Sequence, residues 1–151
     1  MEIYTVSLFG HRKIDDIRGL EKKIRKVIKG LIESKNYICF MIGRAGEFDE
    51  IAASVIKMVQ KELDRDNSEI VLVLPYKVRD IEFYEAYYHD IIIPPSACSA
   101  HPKYAITAKN RWMIEKSDMI IAFVEHNSGG AFEAIKYAMK MGKNVINLYT
   151  L

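Results

Sequence analysis

The 151-residue chain has little cysteine, little proline and little net charge: two cysteines, four prolines and a formal balance of +2. Neither Cys39 nor Cys98 has a CxxC partner, so the spacing indicates neither a zinc site nor a disulfide framework. Cys39 falls in an apolar strand pattern and reads as a small core residue, whereas Cys98 falls in a Pro/Ser/Ala loop. No apolar run approaches the ~18 residues that would span a bilayer. The chain opens on a strand pattern and lacks the basic start and long apolar stretch of a signal peptide. A reducing cytoplasm and no membrane partner are therefore expected. A general nucleic-acid binder carries a strong basic excess, which is missing here, so nucleic acid is an unlikely partner. Lys22, Lys23, Arg25, Lys26 and Lys29 do cluster, but on the polar side of a helix, where a solvated face accounts for them. His101 and His126 are isolated and have no ligand spacing, so no metal is assigned.

What is present is an ordinary soluble composition, 50% hydrophobic and 28% charged, long enough for one domain over 1–151. Strand and helix patterns alternate. Strands are expected at Ile3 to Phe9, Tyr37 to Ile42, Ile70 to Leu74, Asp90 to Ile93, Met119 to Val124 and Val145 to Tyr149. Leu20, Ile24, Val27, Ile28, Leu31 and Ile32 recur at helical spacing, giving an amphipathic helix from Arg18 to Ser34. Ile51, Val55, Ile56, Val59 and Leu63 mark a second helix. Others are expected around Ile81 to Tyr88, from Lys103 to Lys116 and from Ala131 to Met141, with Gly142 at the last C-cap. Pro94-Pro95 should break any regular element, and the 94–102 segment could form a flap. Apolar strands alternating with helices imply a Rossmann-like doubly wound α/β fold, a mostly parallel sheet with helices on both faces.

In such folds ligands bind beyond the carboxyl ends of the strands. That rule gathers three turns on one edge: Gly10-His11-Arg12, Gly43-Arg44-Ala45-Gly46 and Ser128-Gly129-Gly130. Free backbone N–H groups and the positive end of a helix dipole make the last of these a floor for phosphates. Arg12 and Arg44 are candidates to pair with a phosphate, and His11 to donate a hydrogen bond or do acid–base work; a plain surface loop explains Gly10 to Arg12 equally well. The GxxG of Gly43 and Gly46 is weak by spacing and gains weight from following a buried strand. Asp49 either completes the first helical turn or holds a ribose hydroxyl. Glu133 likewise is either a helix N-terminal acid, a ribose contact, or a nucleophile at an anomeric carbon. Arg111 could reach the pocket edge, while Trp112 and Met113 read as core or interface. Tyr84, Tyr87, Tyr88 and His89 form an aromatic cluster that reads as packing against the sheet ahead of stacking a base.

Taken in order, GHRK at 10–13, IGRAGEFDEIAA at 42–53, NRWMIEKSDMIIAF at 110–123 and SGGAFEAIKYA at 128–138 resemble the SLOG superfamily. Within it the chain looks most like the YpsA-like branch of unknown function with a Gly-His-Arg motif. The resemblance runs over nearly the whole chain. It implies a Rossmann-like fold that binds nucleotides or nucleotide-derived signals and that often self-associates through helices beside the pocket. By position, Gly43, Arg44 and Gly46 match the first glycine loop, Asn110 and Arg111 the Asn-Arg pair, and Gly129, Gly130 and Glu133 the second loop and its acid. The lonely-guy phosphoribohydrolases of the superfamily carry PGGxGTxxE. SGGAFEA lacks that threonine and that spacing, which argues against their activity here. One segment also resembles nucleoside 2-deoxyribosyltransferases, whose catalytic glutamate follows a glycine by four residues, as Glu133 follows Gly129.

The expectation is a protein that binds a nucleotide or nucleotide-derived molecule of the ADP-ribose type, as a sensor or sequestering protein and as a homo-oligomer. Its candidate ligand-binding residues are Gly10, His11, Arg12, Gly43, Arg44, Gly46, Asp49, Asn110, Arg111, Ser128, Gly129, Gly130 and Glu133. The alternatives are an N-glycosidase or deoxyribosyltransferase-like enzyme using Glu133, with His11 or Asp49 as partner acid, and a scaffold with a degenerate site. No cofactor is required; magnesium would enter only with a phosphate ligand.

Overall fold

The computed structural model describes residues 2–151. Six strands form one parallel sheet: β1 (Tyr4–Gly10), β2 (Ile38–Ile42), β3 (Ser68–Val73), β4 (Asp90–Ile92), β5 (Met119–Phe123) and β6 (Asn144–Asn147). Their spatial order is β4-β3-β2-β1-β5-β6. The chain steps outward from β1 to β4, then returns to lay β5 against the other side of β1. The direction of winding therefore reverses between β1 and β5, and the ends of those two strands bound a crevice.

The strands are apolar throughout because both faces are covered. One side-chain register carries Val6, Leu8, Ile38, Phe40, Ile42, Ile70 and Ile121 into a core shared with α1 (Ile17–Ser34) and α2 (Glu47–Leu63). The alternate register carries Phe9, Cys39, Met41, Val71, Val73 and Ile120 into a second core with α5 (Pro102–Lys116) and α6 (Gly130–Lys140). Each fully buried Leu, Ile or Phe contributes roughly 1.5–3 kcal/mol by leaving water, so the two-faced burial is what locks the strand order. Cys39 is in the core, and burial pushes its thiol up to about 12. Asp16 caps α1 by accepting from the Gly19 amide at 3.0 Å. The α6 helix ends in a Schellman turn: Gly142 has φ 71°, its N–H donates to Met139, and Lys143 donates to Ala138.

Two local expectations are corrected. Pro94-Pro95 follows the end of β4 at Ile92, as expected, but the segment beyond it is not all loop. Pro95 is the first residue of a one-turn helix, α4 (Pro95–Cys98), a position where its missing N–H costs nothing. That segment packs on α5 with Ala97 buried; its Ser96 lines a recess beside Trp112, away from the crevice between β1 and β5. The last strand stops at Asn147, and Leu148–Thr150 form a 3-10 turn. The Asn147 side chain causes the stop. It bonds both the N–H and the carbonyl of Val124, at 3.0 and 2.9 Å, and also accepts from the Tyr149 amide. The remaining helix, α3 (Ile81–Tyr87), lies between β3 and β4.

Candidate functional site

The carboxyl ends of β1, β2 and β5 open on a cleft of about 230 Å³. Its walls include Gly10, His11, Arg12, Gly43, Asp49, Lys109, Asn110, Gly129 and Gly130. Three glycine turns from distant parts of the sequence thus share one opening.

Each turn is shaped by packing. A Cβ on Gly10 would stand 2.1 Å from the Phe48 ring, so β1 can pass α2 only with glycine there. The α2 amino end then ties down the β1–α1 loop: the Glu47 amide donates to the Arg12 carbonyl at 2.9 Å, and the Glu47 carboxylate accepts from the Ile14 amide at 2.9 Å. Gly46 lets that turn close against the Arg12 backbone, which a Cβ would approach to 2.4 Å. Arg12 itself is exposed at the rim.

His11 has a defined role. Its Nε2 accepts from the Glu125 amide at 2.9 Å and the His126 amide at 3.3 Å, so it latches the β5–α6 loop as a neutral imidazole. Burial, and then His126, hold its pKa below the usual value against the pull of Glu125.

At the floor stand two ionisable groups. Asp49 is buried, and its Oδ2 accepts from the Ala45 amide at 2.8 Å. That N–H is therefore spent within the turn. Burial pushes the Asp49 carboxyl up to about 6, against the lowering effects of this bond and of Lys109. Lys109 is 6% exposed, and burial lowers its pKa while Asp49 opposes the shift. A Cβ on Gly43 would lie 2.9 Å from the Lys109 Nζ and 3.4 Å from the Asp49 Oδ2, so both groups converge above that glycine. The ion pairs among the described residues join Arg25 to Glu62, His126 to Glu125 and Lys136 to Glu133. Lys109 takes part in none of them. Next to it, Asn110 has a buried Oδ1 with no partner.

Across the cleft, Gly129 opens α6 at φ 96°, a conformation that favours glycine, and neither Gly129 nor Gly130 has an atom within 4 Å of where a Cβ would point. The helix dipole there faces open space. Ser128 is exposed on the same loop.

Three of the charged candidate residues stand apart from this cleft. Arg111 and Glu133 line a neighbouring groove of about 510 Å³ between α5 and α6, which meets the cleft at Ile106, Asn110 and Gly130. The Arg111 guanidinium covers the Tyr137 ring at 4.8 Å. The Glu133 carboxylate is exposed and lies 4.0 Å from Lys136. Arg44 turns the other way, over the Tyr84 ring at 5.6 Å, and donates to the Tyr84 hydroxyl at 3.3 Å.

The residue that sequence reading missed is Lys109. A lysine in a helix ordinarily reads as solvated. The available signal was its place between Ala105 and Met113 at steps of four, both buried, which puts it on the inward face of α5. Among the described residues no group of three or more His, Cys, Asp or Glu side chains could hold a metal ion, and no helix is long and apolar enough to cross a membrane.

Comparison with protein-family models gives no match, and comparison with curated proteins gives none. Among solved structures the chain is similar to DNA processing protein A (DprA) from Streptococcus pneumoniae, with a TM-score of 0.68 and 18% identity. The likeness covers 95% of this chain and 49% of that one, so the chain spans about half the length of that protein. At this identity the likeness shows the fold, a Rossmann-like parallel α/β sheet.

Proposed function

We propose that this chain binds a nucleotide-derived small molecule of the ADP-ribose type, as a sensor or sequestering protein, with a phosphate seated between Lys109 and the amino end of α6. The observation that carries the reading is Lys109, a buried ammonium facing the cleft whose neighbouring carboxylate, Asp49, stands beyond ion-pair distance and compensates it only in part. Withdrawing an ammonium from water is costly unless an anion compensates it. A phosphate supplies that anion, and the free amides of the α6 amino end reinforce it. Asp49 offers an acceptor for ribose hydroxyls, and Asn110 brings its unpartnered Oδ1 to the same wall. The ordered resemblance to the SLOG superfamily supports the same class of ligand. Magnesium would enter only with a phosphate ligand. Self-association through α5 and α6 belongs to the same proposal, and light scattering checks it.

Native mass spectrometry of freshly purified protein, followed by mass analysis of what heat releases, tests the reading. An intact nucleotide-derived molecule retained by the wild type and lost in Lys109→Met supports it. An apo mass that persists across a nucleotide panel overturns it and favours a scaffold with a degenerate site.

One observation favours the N-glycosidase alternative. The Asp49 carboxyl, raised to about 6 in the cleft wall, suits a proton donor to a leaving base. Glu133, out in the neighbouring groove, is poorly placed as the nucleophile. Release of a free base together with a ribose phosphate would decide for that reading.

A further inference from the structure

A second recess of about 240 Å³ opens beside the cleft, walled by Arg44, Glu50, Phe83, Tyr84 and Tyr88. Gly43 and Asp49 line both spaces, so the recess adjoins the cleft at that glycine. Packing accounts for Tyr87 and the adjoining Tyr88, which lie against the core, but not for Phe83. None of the α3 residues is buried, and Phe83 is 67% exposed. Phe83 meets Tyr84 at 84° with centroids 5.4 Å apart, so no ring among the described residues stacks parallel to it. Tyr87 differs, because Lys57 sits 3.8 Å over its ring. The polar groups of the recess are complementary in kind: Arg44 is a donor and the Glu50 carboxylate an acceptor.

We propose that this recess is a nucleobase subsite, in which Phe83 offers the stacking face, with Tyr84 set edge-on beside it, while Arg44 and Glu50 read the edge of the ring. The proposal rests on the nucleotide reading of the adjoining cleft. A planar heteroaromatic ring is the group that gains most from an exposed aromatic face flanked by a few polar groups. The direction of the ligand follows: phosphate over Lys109, ribose by Asp49, base against α3.

Calorimetric titration with two kinds of probe tests this, the base-bearing ADP-ribose and 5′-mononucleotides against base-free ribose 5-phosphate. Phe83→Ala should weaken the base-bearing probes by roughly tenfold and leave ribose 5-phosphate unchanged. Phe83→Trp should restore binding. Phe83 is mostly exposed, so the unfolding temperature should stay at the wild-type value. Equal affinity of Phe83→Ala and wild type for every probe overturns the subsite and leaves the phosphate reading standing. Failure of wild type to bind any probe overturns both.

Discussion

Lys109 and Gly43 meet at the floor of the cleft, where a Cβ on Gly43 would stand 2.9 Å from the lysine Nζ. The contact falls on the far end of a flexible side chain, so Gly43→Ala should fold and displace the ammonium from its seat. Lys109→Met tests the same charge directly. Removing this desolvated cation should raise stability by roughly 1–3 kcal/mol below about pH 6, where Asp49 is protonated, and the gain should shrink at higher pH, where Asp49 is left ionised without its compensating cation. Loss of a charge-assisted phosphate contact should weaken nucleotide binding by about ten- to a hundred-fold. Urea unfolding and calorimetry on the same sample check both signs. A variant that is both less stable and fully able to bind would remove Lys109 from the site.

Asp49 should impose a pH dependence of definite sign. Its folded pKa of about 6 lies above the ordinary 3.8, so the native chain holds this proton more tightly than the unfolded chain. The stability it contributes is fully present below 3.8 and is lost as pH rises through about 6. The loss approaches ~3 kcal/mol for a shift of this size. Asp49→Asn keeps an acceptor for the Ala45 amide and does not titrate. The stability difference between Asp49→Asn and wild type should therefore grow in favour of the variant between pH 4 and pH 7. Denaturant unfolding at several pH values measures it, and a difference that stays flat across that range would sink the argument. In Lys109→Met the Asp49 carboxyl loses a compensating cation, so its titration should move above about 6.

These two residues mark where sequence legibility ended. The sheet was readable because nearly every strand is a short apolar run bounded by glycine, proline or polar residues, and α1 shows its buried stripe at regular spacing. The glycine turns were readable because the topology rule sends strand ends to one edge. Side-chain direction at the pocket was not. Arg111 and Lys109 are two positions apart in α5, which turns them about 200° from each other on a helix. Only the buried pair Ala105 and Met113 tells which of the two faces the sheet. Tyr84, Tyr87, Tyr88 and His89 read as packing, and Tyr87 and Tyr88 do lie against the core while His89 accepts from the Ile70 amide; Phe83 was outside that reading, and its exposure appears only in three dimensions.

His11 ties the cleft to pH from the other side. Its Nε2 can accept from the Glu125 and His126 amides only while unprotonated. Its folded pKa is depressed, chiefly by burial, so the stability it contributes is present above its ordinary 6.5 and is lost as pH falls through the folded value. His11→Ala should cost about 1 kcal/mol and flatten this acid limb. It should also speed hydrogen exchange at the Glu125 and His126 amides while leaving the β2 amides protected. Unchanged exchange at those two positions would show that the latch does not hold the loop.

Gly130 and Glu133 share the first turn of α6, and their substitutions should separate binding from chemistry. A Cβ on Gly130 meets nothing within 4 Å, and Gly130 is not among the positive-φ glycines, so Gly130→Ala should fold with stability within ~0.5 kcal/mol of wild type. If the open space above it is where a phosphate approaches the backbone, the added methyl should weaken binding severalfold all the same. Glu133→Gln changes a carboxylate that is exposed outside the central cleft, so it should leave both stability and nucleotide affinity near wild type. A glycosidase that used Glu133 as nucleophile would instead lose turnover entirely in that variant. Loss of turnover in Glu133→Gln would therefore place the reacting centre in the α5–α6 groove. Full binding there, with weakened binding in Gly130→Ala, keeps the ligand in the cleft between Lys109 and the amino end of α6.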